Sequence, residues 1–449
     1  MKKLLLLTLV LLGGVMQVSA ENVTRRFYII SSGNFGQYRK GNLAIHSWYT
    51  GGADITTWGT SAEEMSSIGT NTKGTNAIVL WYKDVTFDGS KEINIKVYDK
   101  DNTSWQSGNL TVTSSSNKYY TFDITSKDAL SVKGDLSYCA YLATGGSWIK
   151  QELVTEDNYV YTTTIDNQTS PDPSLELLIA PSFAVDDDLV KTSDLRLEWM
   201  FRPWNENQDL GFTDQTSKKG GFYANDNSLK LKSSAFFDLT YKPLDWEYSL
   251  SPYIPKTITS VEYATLGTPD GWKMKVPEGV TAYYVTGVAD GEATMSSAIA
   301  KDKTLPGNNG FLIQGSAGNY KFYASNDDPE STEGNKMVST GENGVAASSV
   351  PDGAYILALN DKGDEACFYK YSGTGDISAF KAYLNADGIS AKSLAFNFDG
   401  NKEEEEVTAI NAIANTVDSN AAMFNLSGQR VNNDYKGVVV KNGKKFIVK

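Results

Sequence analysis

Histidine and cysteine are the residues that this sequence has least of. Its 449 residues include one histidine, His46, and two cysteines, Cys139 and Cys367. A zinc site needs a cluster of such ligands, and a Ser-His-Asp triad would have to use His46 without any Gly-x-Ser-x-Gly elbow in the chain. The sequence therefore favours a protein that is not an enzyme and that uses neither a metal nor another cofactor. We expect the cysteines to be two small buried hydrophobes rather than a disulfide.

Paired carboxylates are the catalytic arrangement that this composition leaves open. The chain has 54 acidic residues, which offer many pairs for glycoside hydrolysis, but no motif marks one of them. Calcium ligands could come from the acidic stretches 99–102 and 186–188, although both patterns are more typical of solvated turns. A glycoside hydrolase of unrecognised architecture therefore remains an alternative.

Long apolar runs are missing beyond the N terminus. Residues 1–20 begin with Lys2 and Lys3, continue with a short apolar stretch and end in small residues at Ala20, which predicts a cleaved signal peptide. That stretch is shorter than the roughly 20 apolar residues that a membrane-spanning helix needs. We expect a protein that does not span a membrane and is secreted or held at the cell surface, with the periplasm as an alternative.

Positive charge is also in short supply. The formal charge is −13, and removal of Lys2 and Lys3 would make it −15 (−13 − 2). An acidic chain repels phosphate groups, so nucleic acid is excluded as a partner.

Aromatic residues, in contrast, are abundant, with 25 Tyr, 18 Phe and 9 Trp. Many of them stand in short segments where polar and apolar residues alternate, such as 92–98, 119–124 and 159–165, and turn residues separate these segments. This pattern predicts an all-β protein built of tandem β-sandwich modules.

The length and the turn signals divide the mature chain into four parts. We predict a first β-sandwich at 21–135, a second at 136–253, a third β-module at 254–402, and a linker with a small β tail at 403–449. Ser251-Pro252-Tyr253-Ile254-Pro255 is interpreted as the linker between the second and third modules.

Candidate ligand-binding residues cluster in the first module. They are His46, Trp48, Trp58, Trp81 and Gln106. A tryptophan ring can cover the apolar C–H face of a sugar, while histidine and glutamine can bond its hydroxyls. This combination points to a polysaccharide as the partner.

The orientation of these side chains decides their role. His46 and Trp48 are two residues apart in a predicted strand, so they share a face that is either core or ligand surface. Trp58 stands in a polar turn next to glycine and is expected to face solvent. Trp81 and Tyr82 are adjacent, so one should be buried and the other exposed.

Five elements of the first module form a pattern, and the strand with His46 and Trp48 is the first of them. In chain order they are Ile45-His46-Ser47-Trp48, Gly51-Gly52, Thr57-Trp58-Gly59, Glu63-Glu64-Met65 and Leu80-Trp81-Tyr82. The pattern resembles starch-binding carbohydrate-binding modules of bacterial amylases and gut Bacteroidetes surface proteins. This resemblance implies a non-catalytic module that binds a starch-like α-glucan. A structural or adhesive surface protein that binds no sugar is the main alternative.

The C-terminal tail carries a second resemblance. It contains Leu426-Ser427-Gly428-Gln429-Arg430-Val431, then a glycine followed by a β run, and then a lysine-flanked β end. This arrangement is similar to the C-terminal sorting domains of secreted Bacteroidetes proteins. The resemblance implies a lineage and, as in some members of that phylum, a role of the tail in secretion. Cell-surface protein partners are a further expectation for such an exported, multi-domain protein. From the residues themselves we expect three short strands that form a small sheet.

Overall fold

The computed structural model describes most of the chain between residues 21 and 448. The described residues are 21–34, 43–71, 76–123, 130–144, 147–157, 159–168, 175–183, 200–203, 209–223, 229–360, 363, 365–398, 423–425, 430–431, 436–441 and 444–448. Strands dominate these ranges, so the predicted all-β fold class is confirmed. Short 3₁₀ helices occur at Pro243–Asp245 and Ala347–Ser349.

The first module is a sandwich of two sheets. Its strands are β1 (Asn22–Asn34), β2 (Leu43–Tyr49), β3 (Ser66–Asn71), β4 (Asn76–Asp88), β5 (Ile93–Asp99), β6 (Asn102–Gln106), β7 (Leu110–Val112), β8 (Lys118–Asp123) and β9 (Ser131–Asp135). One sheet has the order β3-β4-β1-β8-β9. The other has the order β2-β5-β6, with β7 also paired to β5.

Alternating apolar residues from both sheets fill the core of this sandwich, as the pleat of a strand requires. From the five-stranded sheet come Phe27, Ile29, Val85, Phe87 and Tyr120, and from the four-stranded sheet come Leu43, Ile45, Ile93, Ile95 and Val97. Every second residue of β2 and β5 therefore points away from this core, which leaves the outer face of the smaller sheet for other uses.

The second module is built from two sheets that share strands. Its strands are β10 (Tyr138–Thr144), β11 (Ser147–Glu152), β12 (Val154–Asp157), β13 (Val160–Asp166), β14 (Leu175–Pro181), β15 (Met200–Pro203), β16 (Asp209–Leu210), β17 (Gln215–Tyr223), β18 (Leu229–Leu231), β19 (Phe236–Lys242) and β20 (Glu247–Ile258). One end of β17 pairs with β15 and the other with β20, with a bulge at Ser217, whose φ is +53°. Such a bulged strand turns the corner between two sheets.

The third module follows without a linker. Its strands are β21 (Tyr263–Thr268), β22 (Met274–Lys275), β23 (Val280–Tyr283), β24 (Val285–Ala289), β25 (Glu292–Met295), β26 (Thr304–Leu305), β27 (Asn309–Gly315), β28 (Gly318–Tyr323), β29 (Met337–Ser339), β30 (Ala354–Leu359), β31 (Ala366–Lys370), β32 (Ala382–Asn385) and β33 (Ser393–Asn397). The predicted linker at 251–255 is wrong, because these residues lie inside β20, which pairs with β19 and then with β28. One hydrophobic core runs from the second module into the third.

The two cysteines are buried, as expected for small hydrophobes. Cys139 lies in β10, where its thiol donates a hydrogen bond to the Ala180 carbonyl oxygen at 3.5 Å. Cys367 is buried in β31.

The tail is a small antiparallel sheet in the described residues. Its strands are β34 (Met423–Asn425), β35 (Arg430–Val431), β36 (Gly437–Lys441) and β37 (Lys444–Val448), in the order β35-β34-β36-β37. The expected sheet is present with four strands rather than three, because β34 and β35 pair with each other.

A buried arginine joins the first module to the second. Arg26 is 1% exposed and binds Asp84 with two parallel hydrogen bonds of 2.8 and 2.9 Å. Its guanidinium carbon lies over the rings of Tyr82 and Trp246, at 4.8 and 4.5 Å from their centroids, and these two rings also contact each other edge to face. A planar cation that stacks on two rings and pairs with one carboxylate fixes the two modules against each other.

Candidate aromatic binding site

The outer face of the smaller sheet carries the predicted site. In β2, Leu43 and Ile45 point into the core, whereas His46 and Trp48 point to the opposite face and are half-buried. The prediction that His46 and Trp48 share a face is confirmed, since their rings stack at a centroid distance of 5.0 Å and an angle of 22°. That face is the outer one, so neither residue belongs to the core of the sandwich.

Four rings form a continuous group on this face, which we name the aromatic platform: His46, Trp48, Trp58 and Tyr98. The rings of His46 and Trp58 meet edge to face, with their centroids 5.1 Å apart and an angle of 70° between their planes. The Trp58 ring in turn stacks on the Tyr98 ring, with a centroid distance of 4.1 Å and an interplanar angle of 29°. Each ring therefore holds its neighbour in place, in geometries that aromatic pairs prefer.

Trp58 is the most exposed ring of the platform. It is 39% exposed, as expected for its turn next to glycine, and Gly59 adopts a φ of +94° that favours glycine. The backbone N–H of Gly59 donates to the Tyr98 hydroxyl at 3.0 Å. Because Tyr98 covers one face of the indole and its hydroxyl anchors the turn, the remaining surface of the Trp58 ring is presented to solvent in a fixed orientation.

His46 holds the loop that carries Trp58. Its Nδ1 lies 3.1 Å from the Thr56 carbonyl oxygen, which can only accept, so Nδ1 bears the proton of this bond. Its Nε2 faces the exposed Asp54 carboxylate at 3.4 Å. The Thr56 hydroxyl donates to the Ile45 carbonyl at 3.0 Å, which ties the same loop back to β2. His46 thus serves first to position the loop, with Nε2 as its remaining polar atom.

Polar side chains border the platform along the sheet. The Lys96 ammonium donates to the Gln106 carbonyl oxygen at 2.9 Å, which leaves the amide nitrogen of Gln106 as its remaining donor group. Thr111 donates to Asn94 at 2.7 Å, and Asn94 donates to Thr50 at 3.2 Å. We name these five side chains the polar rim.

Cross-strand register explains why the rim meets the rings. In the pairing of β2 with β5, His46 stands opposite Lys96 and Trp48 opposite Asn94. In the pairing of β5 with β6, Tyr98 stands opposite Gln106. Directly opposed residues share a face of the sheet. The sheet therefore brings four of the five predicted residues to one surface. It adds Tyr98, which the sequence did not single out and which is fully buried beneath Trp58.

Trp81 is the predicted residue that lies elsewhere. It is 1% exposed in the sandwich core, and its indole nitrogen donates to the Ser31 hydroxyl at 2.8 Å. Its predicted role as a ligand-binding residue is therefore wrong. The neighbouring Tyr82 is half-buried rather than exposed, because its face of β4 meets Trp246 of the second module. β4 lies between β3 and β1 and is covered on both faces, which a single alternating segment does not reveal.

One of the two acidic stretches considered as calcium ligands, 99–102, lies within the described residues and forms a turn. The Asp99 carboxylate accepts from the backbone N–H groups of Asp101 and Asn102 at 2.9 and 3.3 Å, as in an ordinary turn. The stretch 186–188 lies outside the described residues. Among the described residues, no group of three or more His, Cys, Asp or Glu side chains is arranged to hold a metal ion. None of the helices in that part of the chain is long and apolar enough to cross a membrane.

Comparison with known proteins gives no match for this chain. No family model matches it, and neither the curated proteins nor the solved structures yield a similar chain. The function of the aromatic platform is therefore argued from its own geometry.

Proposed function

We propose that the protein is an exported, non-catalytic carbohydrate-binding protein whose first module binds a starch-like α-glucan on the aromatic platform. The observation that carries the proposal is the Trp58 ring, which is 39% exposed although it is stacked on Tyr98 and edged by His46. An exposed indole that is held still has lost its conformational freedom before a ligand arrives, so binding costs less entropy.

Sugar chemistry fits the platform and the polar rim together. A glucose ring has an apolar C–H face that an indole can cover, and burial of apolar surface contributes about 25 cal/mol per Å². The hydroxyls around that ring need donors and acceptors, which Gln106, Asn94 and Thr111 can offer beside the rings. Each such bond replaces one to water and adds little net free energy, so the site should bind weakly and rely on stacking.

Export and a cell-surface location belong to the same proposal. The predicted signal peptide, residues 1–20, lies outside the described residues, as does much of the tail that resembles sorting domains. A weak glucan-binding module suits a surface protein, because many copies on one cell engage one polysaccharide and gain affinity by avidity. Partner proteins at the cell surface would then supply any hydrolysis.

Retention on insoluble starch tests the proposal. We expect the purified mature chain to be retained on starch granules and to be released by soluble α-glucan. The Trp58→Ala variant should lose retention, whereas Ile149→Ala should keep it, because Ile149 is an equally apolar surface residue, 61% exposed, in a different module. Absence of retention of the unaltered chain would favour the structural or adhesive alternative. Release of reducing sugar from the glucan would favour the glycosidase alternative.

A further inference from the structure

A cavity of about 470 Å³ lies in the third module, far along the chain from the platform. Its walls come from the end of β20, from β21 and β30, and from the segment 371–382. Thr257, Tyr263, Ile356, Tyr371, Asp376 and Lys381 are among the residues that line it. The volume is within the roughly 300–1,000 Å³ that small-molecule sites occupy.

The segment 371–382, which lines one side of the cavity, is held by hydrogen bonds. The Tyr371 hydroxyl donates to the Gly375 carbonyl at 2.5 Å and accepts from the Gly375 N–H at 3.2 Å. The Asp376 carboxylate accepts from the backbone N–H of Ala347 at 2.9 Å. The phenol ring of Tyr371 and the turn that follows it therefore form a preorganised wall, which a specific site requires.

Lys381 gives this corner of an acidic protein a cation, and a second lysine, Lys256, is buried beside it. Lys381 is exposed and lines the cavity. Lys256 is 7% exposed, and its ammonium donates to the carbonyl oxygen of Phe380, the residue before Lys381. Within the part of the chain that the structure describes, no carboxylate lies within ion-pair distance of either lysine. Burial, and then the charge of Lys381, lower the pKa of Lys256 to about 7.

Lys381 has no ion-pair partner among the described residues, although Asp376 lines the same cavity, and a cation in this position favours an anionic ligand. Tyr263 and Tyr371 offer ring surface, and threonine and serine hydroxyls such as those of Thr257 and Ser372 offer donors and acceptors. We propose that this cavity binds a hydroxylated carboxylate, the uronic acid unit of an acidic polysaccharide, with its carboxylate against Lys381. Asp376, whose second oxygen is not used by Ala347, accepts from the sugar hydroxyls. This site is separate from the aromatic platform, and it would prefer an anionic sugar where the platform would bind a neutral one.

Titration of the full chain with methyl glucuronide and with methyl glucoside tests the proposal. The two probes share a ring and differ in the group at the sixth carbon, which is a carboxylate in the first and a neutral alcohol in the second. We expect the glucuronide to bind at least tenfold more tightly by calorimetry. Lys381→Met should weaken glucuronide binding at least tenfold, because it removes the cation while keeping an unbranched side chain only one atom shorter.

Lys336→Met is the matched control, since Lys336 is an exposed lysine of the same module outside the cavity, and its loss should leave glucuronide binding unchanged. Trp58→Ala should also leave it unchanged, which separates this site from the proposed glucan site. Equal binding of the two probes, absence of glucuronide binding, or a Lys381→Met variant that binds as the unaltered chain does would each overturn the proposal.

Discussion

Truncation of Trp58 is the perturbation whose consequences the structure defines most sharply. The indole is 39% exposed, and an aromatic side chain of up to about 250 Å² therefore presents about 100 Å² to a ligand. Complete coverage by a sugar would contribute about 2.5 kcal/mol at 25 cal/mol per Å². At 1.4 kcal/mol per factor of ten, Trp58→Ala should weaken glucan binding by about 60-fold at most and by about tenfold if the sugar covers only part of the ring.

The same substitution should leave the module folded. Trp58 lies on a turn outside the sandwich core, and its stack on Tyr98 contributes about 0.5–1.5 kcal/mol beyond area burial. We expect the free energy of unfolding to fall by about 1–2 kcal/mol, less than the 3–5 kcal/mol that is usual for a tryptophan in a core. Urea unfolding followed by circular dichroism measures this change on the protein used for binding.

Calorimetric titration with maltoheptaose, a linear α-glucan, measures the loss of affinity. Trp58→Tyr should retain most of the affinity, because tyrosine keeps a stacking ring, and Ile149→Ala should retain all of it. An affinity of Trp58→Ala within twofold of the unaltered chain would refute the stacking argument. If Trp58→Ala instead unfolds the module, Trp58 belongs to the core and the exposed ring is not the ligand surface.

Three further substitutions test the packing argument. Trp81→Phe should lower the free energy of unfolding by about 1–2 kcal/mol, through the lost hydrogen bond to Ser31 and a small cavity, yet leave glucan affinity unchanged in the same titration. Arg26→Lys should lower it by about 2 kcal/mol in urea unfolding, because a lysine cannot pair with Asp84 through two parallel bonds and stack on two rings; an unchanged midpoint would contradict the proposed clamp. The folded pKa of Lys256 is about 7, below its ordinary 10.5, so the unfolded state binds more protons between these values and stability rises with pH through that window. Lys256→Met should remove this rise and stabilise the protein at pH 7 and below by about 3 kcal/mol, as judged from unfolding curves at several pH values. A variant with the same pH dependence as the unaltered chain would count against a neutral buried lysine.

Local patterns were sufficient for part of the candidate site. The alternation of β2 placed His46 and Trp48 on one face, and the glycine beside Trp58 predicted an exposed turn. Neither inference needs knowledge of the rest of the fold, because both depend on one strand and one turn. The all-β class followed in the same way from short alternating segments between turn residues.

The roles of Tyr98 and Trp81 depend on long-range strand pairing, which local sequence patterns do not predict. Tyr98 is a platform residue because β5 pairs with β6 and lies under the loop of Trp58, and neither relation is local. Trp81 is core because its face of β4 packs inside the first sandwich, whereas the opposite face, with Tyr82, meets Trp246 of the second module.

The linker prediction failed for a related reason. Proline is unusual within a paired strand, but Pro252 still offers a carbonyl, which accepts from the Ala324 N–H at 2.8 Å. Two prolines therefore fit in β20, where the sequence suggested a break between modules.

Affinity electrophoresis in gels that contain amylopectin tests the central claim most directly. The account predicts that the unaltered chain is retarded in proportion to the amylopectin concentration and that Trp58→Ala migrates as it does without polysaccharide. Equal migration of the unaltered chain with and without amylopectin, up to the highest concentration that the gel allows, would contradict the claim that the aromatic platform binds an α-glucan.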